Sequence, residues 1–93
     1  MFITNEYFDG KVKSIGFRST IGRATVGVMA PGEYEFGTDT VEHISIVNGE
    51  MGVRLPGDAN FKTYKPGDRF VVEKDVKFQL KVPVETAYLC IYQ

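Results

Sequence analysis

Between residues 76 and 82 the chain reads Val76-Lys77-Phe78-Gln79-Leu80-Lys81-Val82, apolar and polar side chains in unbroken alternation. Successive side chains of a strand point to opposite faces, so this run places Val76, Phe78, Leu80 and Val82 on one face and Lys77, Gln79 and Lys81 on the other. A helix would scatter both classes around its circumference. The run therefore predicts a strand with one buried face. Its register is tightly specified, because a slip of one residue would turn the apolar set towards water.

Shorter runs of the same period occupy residues 11–17, 23–29, 33–36, 42–47, 51–55, 69–72 and 87–92. Most are separated by turn-forming clusters: Ala30-Pro31-Gly32, Asn48-Gly49, Pro56-Gly57-Asp58, Lys65-Pro66-Gly67-Asp68 and Glu73-Lys74-Asp75. Asn48-Gly49 carries the strongest hairpin signal, since both positions of a type I′ turn need positive φ. No stretch holds a convincing helical face. The pattern predicts an all-β domain of about eight or more antiparallel strands, arranged as a barrel or sandwich. Residues 1–93 read as a single domain, with no repeat, low-complexity tract or linker.

Composition narrows the function classes. Apolar residues make up 43% of the 93 residues, with seven Phe and five Tyr, enough for one small core. A chain this short buries proportionally less surface than a larger one, so a homodimer is expected, with residues 2–8 packing against a partner or adding a strand to it. Eleven Lys and Arg against twelve Asp and Glu give a formal net charge of −1. No basic excess is present to hold a phosphate backbone, and nucleic acid is not an expected partner. The opening residues place Asn5, Glu6 and Asp9 where a signal peptide needs an apolar run, and nothing approaches about 18 consecutive apolar residues. The single Cys90 cannot form an internal disulfide. A soluble cytoplasmic protein without a membrane partner is the expectation.

One His and one Cys cannot supply the four nitrogen and sulfur ligands of a structural zinc site, so no metal is expected. Cys90, flanked by Leu89 and Ile91, reads as a small packed hydrophobe. His43 reads as a rim residue, with nothing in the sequence to pair it with a nucleophile. Most of the aromatic residues read as core. The segment from Gly16 to Gly22 lacks the spacing of a phosphate loop, and a plain hairpin connection accounts for its glycines. Ser19, Thr20, Gly22 and Arg23 nevertheless bring hydroxyls, backbone N–H groups and a guanidinium together, all groups that can hold an oxyanion.

Two stretches resemble the paired signatures of the cupin superfamily. The first is Pro31-Gly32-Glu33-Tyr34-Glu35-Phe36 leading to Glu42-His43-Ile44-Ser45-Ile46-Val47-Asn48-Gly49. The second is Lys65-Pro66-Gly67-Asp68-Arg69-Phe70-Val71-Val72 running on to Phe78. The resemblance implies a cupin-type jelly-roll barrel. Where metal-binding cupins carry histidines, this chain has residues 35–38 and Phe78, so only Glu42 remains of the usual ligands.

A resemblance to the small pyrimidine/purine nucleoside phosphorylases covers nearly the whole chain. It is carried by Asn5-Glu6-Tyr7-Phe8 with Gly10-Lys11-Val12-Lys13-Ser14-Ile15-Gly16-Phe17, Gly22-Arg23-Ala24 with Val26-Gly27-Val28-Met29, Gly32-Glu33-Tyr34 with Phe36, and Tyr88-Leu89-Cys90 with Tyr92. It implies a homodimeric enzyme that cleaves purine and pyrimidine nucleosides with inorganic phosphate as co-substrate and no other cofactor. On that reading Arg23 anchors phosphate, with Ser19 and Thr20 beside it. Glu42 binds ribose hydroxyls or stabilises a cationic sugar, and Tyr34, Phe78 and Tyr92 form a slot for the base. The alternative is a non-enzymatic cupin that binds or senses a small molecule in the same pocket. A barrel that stacks single-stranded nucleic acid on its aromatics is disfavoured by the net charge.

Overall fold

A computed structural model describes residues 2–93 and contains β1 (Ile3–Tyr7), β2 (Val12–Ser19), β3 (Gly22–Met29), β4 (Gly32–Gly37), β5 (Glu42–Asn48), β6 (Met51–Arg54), β7 (Lys62–Tyr64), β8 (Arg69–Val72), β9 (Lys77–Val82) and β10 (Thr86–Tyr92). They form a six-stranded sheet in the order β1-β2-β3-β10-β5-β8 and a four-stranded sheet in the order β4-β9-β6-β7. Every pairing is antiparallel. The architecture is all-β and jelly-roll-like. Its two layers pack face to face and are not hydrogen-bonded into one closed cylinder.

The alternation that fixed β9 is realised as expected. Phe78, Leu80 and Val82 are 2%, 2% and 3% exposed, Val76 packs against the core from just before the strand, and Lys77 and Lys81 face solvent. From the opposite sheet, Ile44, Ile46, Phe70, Tyr88 and Cys90 complete the core. Each large side chain buried here is worth roughly 1.5–3 kcal/mol.

Asn48-Gly49 does not make the expected type I′ hairpin. Gly49 takes φ +91°, but Asn48 is not among the residues with positive φ. The strands on either side belong to different sheets, so the turn is a corner between layers. Glycine is needed there for space as well as for φ: a Cβ would lie 2.5 Å from Thr86 Oγ1 and 2.7 Å from the Glu85 carbonyl. The Thr86 hydroxyl fastens this corner, donating to the Glu50 carbonyl at 2.9 Å and accepting from the Glu50 N–H at 3.2 Å.

Residues 2–8 contribute β1, which pairs with β2 of the same chain and leaves its other edge unpaired. The β2–β3 hairpin closes on Ser19 and Gly22 with Thr20 and Ile21 between them. Gly22 takes φ +130°, and the Ser19 hydroxyl locks the turn by donating to the Gly22 carbonyl at 2.6 Å and accepting from the Ile21 N–H at 3.2 Å. This closure sets the register of the hairpin and brings Arg18 opposite Arg23.

Candidate functional site

The inner face of the six-stranded sheet carries more polar side chains than packing requires. Period two places Ser14, Gly16 and Arg18 on that face of β2, Gly27, Thr25 and Arg23 on β3, and Tyr88, Cys90 and Tyr92 on β10. The ladders align them in rows. Ser14 pairs with Gly27, and Gly27 with Tyr88; Gly16 pairs with Thr25, and Thr25 with Cys90. At the open end Arg18 pairs with Arg23, and Tyr92 with Glu42. The Arg23 guanidinium joins these two pairs, its carbon 5.2 Å from the centre of the Tyr92 ring.

Two neighbouring depressions follow. A cavity of about 180 Å³ between the sheets is lined by Glu42, Cys90, Tyr88, Phe36, Phe78 and Met51, among others. An open groove of about 690 Å³ is lined by Asn5, Arg18, Arg23 and Thr25, among others. Tyr7 and Tyr92 line both. The cavity alone is smaller than the roughly 300–1,000 Å³ of small-molecule sites, whereas the groove falls within that range. A ligand larger than a single ring therefore has room only if it spans both.

Glu42 is half-buried, and its Oε1 accepts a hydrogen bond from Cys90 Sγ at 3.5 Å. Desolvation holds its carboxyl above the usual carboxylate range, the Cys90 hydrogen bond opposes this, and the charge of Asp39 adds to it. Burial also raises Cys90, with the Glu42 charge acting in the same direction, so the thiol is a packed neutral group rather than a nucleophile. Burial pushes the Tyr88 phenol up to about 12 and raises Tyr92 as well, so both act as neutral hydrogen-bonding groups. The Tyr92 hydroxyl lies 3.1 Å from Thr25 Oγ1, and the Asn5 side-chain amide donates to Ser14 Oγ at 3.3 Å.

The structure brings Glu42, Phe78 and Tyr92 to one cavity and Arg23 to the adjoining groove. Tyr34, Ser19 and Thr20 stand apart from both. The Tyr34 hydroxyl donates to the Ala30 carbonyl at 2.6 Å, and its ring packs 5.0 Å from Phe8. Ser19 is engaged in its own turn, and Thr20 is exposed at the hairpin tip. Among the described residues Arg23 forms no ion pair with Glu33 or Glu35; Glu35 instead accepts from Gln79 Nε2 at 2.8 Å. His43 faces away from Glu42 along β5 and donates from Nε2 to Gln93 Oε1 at 2.6 Å. Among the described residues no group of three or more His, Cys, Asp or Glu side chains is placed to hold a metal ion. No helix among them is long and apolar enough to cross a membrane.

Comparison with known proteins decides the family. Residues 2–92 match the family described as pyrimidine/purine nucleoside phosphorylase. The chain belongs to that family. A pyrimidine/purine nucleoside phosphorylase from Pseudomonas putida strain W619 is 61% identical over 93 residues, covering 100% of this chain and 99% of the relative. A crystal structure of a protein of unknown function from Vibrio parahaemolyticus superposes with a TM-score of 0.96 at 44% identity, covering 100% of this chain and 99% of that one. An RmlC-like cupin from Shewanella frigidimarina gives a TM-score of 0.71 at 19% identity, over 91% of this chain and 78% of that one, which shows a shared cupin-like fold.

Within this chain, sequence reasoning missed Asn5, Arg18, Thr25 and Tyr88 as lining residues. A signal for Arg18 was present. A hairpin closing on Ser19 and Gly22 must set Arg18 against Arg23, but the closing pair has to be known first. Tyr88 and Thr25 share the parity of Cys90 across β10 and β3, which becomes informative only once those strands are known to be neighbours.

Proposed function

We propose that this protein is a broad-specificity nucleoside phosphorylase, a pentosyltransferase that converts purine and pyrimidine nucleosides and inorganic phosphate to free base and ribose 1-phosphate without a metal. The observation that carries this reading is the line of Arg23, Tyr92 and Glu42 leading from a cationic groove into a cavity that presents Phe36 and Phe78 beside Glu42. Family membership and the phosphorylase relatives support the same class.

In this reading the base enters the cavity against Phe78 and Phe36, with Tyr92 at its mouth. Contacts to the ring face rather than to its hydrogen-bonding edge tolerate both base classes. Phosphate lies in the groove against Arg23, and C1′ of the sugar sits between them. An oxygen of hydrogen phosphate bonds to C1′ as the glycosidic C–N bond breaks, and the base leaves with the bonding electrons and takes up the proton that the phosphate gives up. The transition state has oxocarbenium character. A half-buried carboxylate at Glu42 stabilises that positive charge, and the developing charge in turn favours the ionised form of Glu42. Positioning and electrostatics carry the reaction, and no covalent intermediate is needed.

The protein acts as a homodimer in the cytoplasm in this account. The unpaired edge of β1 supports the dimer, since Phe2 and Ile3 there are 74% and 66% exposed. Light scattering that returns a monomer mass at micromolar concentration would remove the dimer. The activity is tested by incubating the purified protein with purine and pyrimidine nucleosides, with and without phosphate. The expected result is free base and ribose 1-phosphate only when phosphate is present. Tight nucleoside binding without release of base would instead identify a non-enzymatic binding protein.

A further inference from the structure

We infer that Arg18 joins Arg23 in a two-guanidinium site for a tetrahedral oxyanion, inorganic phosphate, at the open end of the groove. The inference deepens the phosphorylase reading and rests on it for the identity of the anion. Arg18 and Arg23 are direct partners in the β2–β3 ladder and line the same groove. Like charges directly opposite each other on a sheet destabilise it, so the pairing needs a reason other than stability. Among the described residues neither arginine is in an ion pair; the one pair present is Lys13 with Glu6 at 3.3 Å. Glu42, the acidic lining residue of the adjoining cavity, lies beyond the Tyr92 ring that Arg23 covers.

The hairpin has the properties of a preformed anion receptor. Its register is held by the Ser19 hydroxyl, which bonds Ile21 within the turn and Gly22 across it. Each guanidinium offers N–H groups in a planar fork that matches a phosphate edge, and two forks from adjacent strands can grip different edges of one tetrahedral anion. A dianionic phosphate would neutralise the repulsion between them. The Asn5 amide and the Thr25 hydroxyl line the same groove and add polar partners without charge. The same chemistry would accept the phosphoryl group of a 5′-mononucleotide, and the test separates the two sources.

Isothermal titration of the full chain with inorganic phosphate at fixed ionic strength reads the site without turnover. Arg18→Ala should weaken phosphate binding about tenfold to a hundredfold, the size expected for charge-assisted hydrogen bonds, and Arg18→Lys should recover part of it. The Arg18→Ala protein should remain folded. Its denaturation midpoint should hold or rise, because a like-charge contact has been removed. Phosphate affinity equal to that of the wild type in a folded Arg18→Ala protein would overturn the inference. So would Arg18-dependent binding of a 5′-mononucleotide with no binding of inorganic phosphate. Arg18-dependent phosphate binding by a protein that releases no base from any nucleoside would uphold the site and refute the phosphorylase reading.

Discussion

Tyr88 on β10 stands directly opposite Gly27 on β3, and its ring covers the glycine so closely that a Cβ there would lie 2.6 Å from the phenol oxygen. The missing side chain lets the phenol lie flat against the sheet while still lining the cavity. A bulge beside Tyr88 accompanies this arrangement: the register with β5 shifts between Ala87 and Tyr88, leaving Val47 without a partner.

Gly27→Ala should therefore push the Tyr88 ring into the cavity. Overpacking of this kind costs about 1–3 kcal/mol, and base release should fall along with stability. Denaturant unfolding and a nucleoside assay on the same preparation measure both. An alanine variant with wild-type stability and activity would mean that the Tyr88 ring moves aside freely.

Glu42 makes a pH prediction of definite sign. Its carboxyl binds the proton more tightly folded than unfolded, because burial disfavours the charge. The folded state then holds more protons through the window that begins near the reference value of 4.5 and ends at the raised folded value. Stability is lost as pH rises through that window, and the cost is fully present above it. Glu42→Gln removes the titration. Denaturant unfolding of both proteins from about pH 4 to pH 8 should show wild type losing stability relative to the variant as pH rises, then a constant difference. A relative gain with rising pH would contradict the burial of Glu42.

The register of β9 predicts two unequal substitutions. Leu80→Ala empties a fully buried position and should cost about 2–5 kcal/mol. Lys77→Ala, on the solvent side of the same strand, should stay within about 0.5 kcal/mol. Denaturation midpoints with unchanged slopes give both values, and equal costs would refute the register.

The proposed metal-free reaction predicts that exhaustive chelation leaves base release intact. The expectation follows from a chain with one His and one Cys. Activity lost with EDTA and restored by one specific metal ion would overturn it.

How much could be read from the sequence depends on where the constraint is local. In β9 the alternation and the buried face are one and the same property, so the strand and its register were both legible. β1 shows no such alternation: its Ile-Thr-Asn-Glu-Tyr sequence is mostly exposed and is held by its ladder with β2. Asn48-Gly49 carried a hairpin signal, yet the strands beside it join different sheets, which turn chemistry alone does not reveal. Glu42, Phe78 and Tyr92 were candidates because family resemblance singled them out, and the fold does bring them to one cavity. Arg18 depends on which residues close the β2–β3 hairpin, and Tyr88 on pairing between strands far apart in sequence, a non-local property that no single segment carries.

Phosphate kinetics of Arg23→Ala test the central claim most directly. The guanidinium lies at the groove end of the line through Tyr92 to Glu42 and contributes little to folding as an exposed group without an ion-pair partner. A folded Arg23→Ala protein should lose about 10²–10³-fold in kcat/KM for phosphate, as expected when a charge-stabilising donor is removed. Arg23→Lys should recover only part, because an ammonium cannot reproduce the bidentate fork. Unchanged turnover and unchanged phosphate dependence in the folded alanine variant would contradict the account.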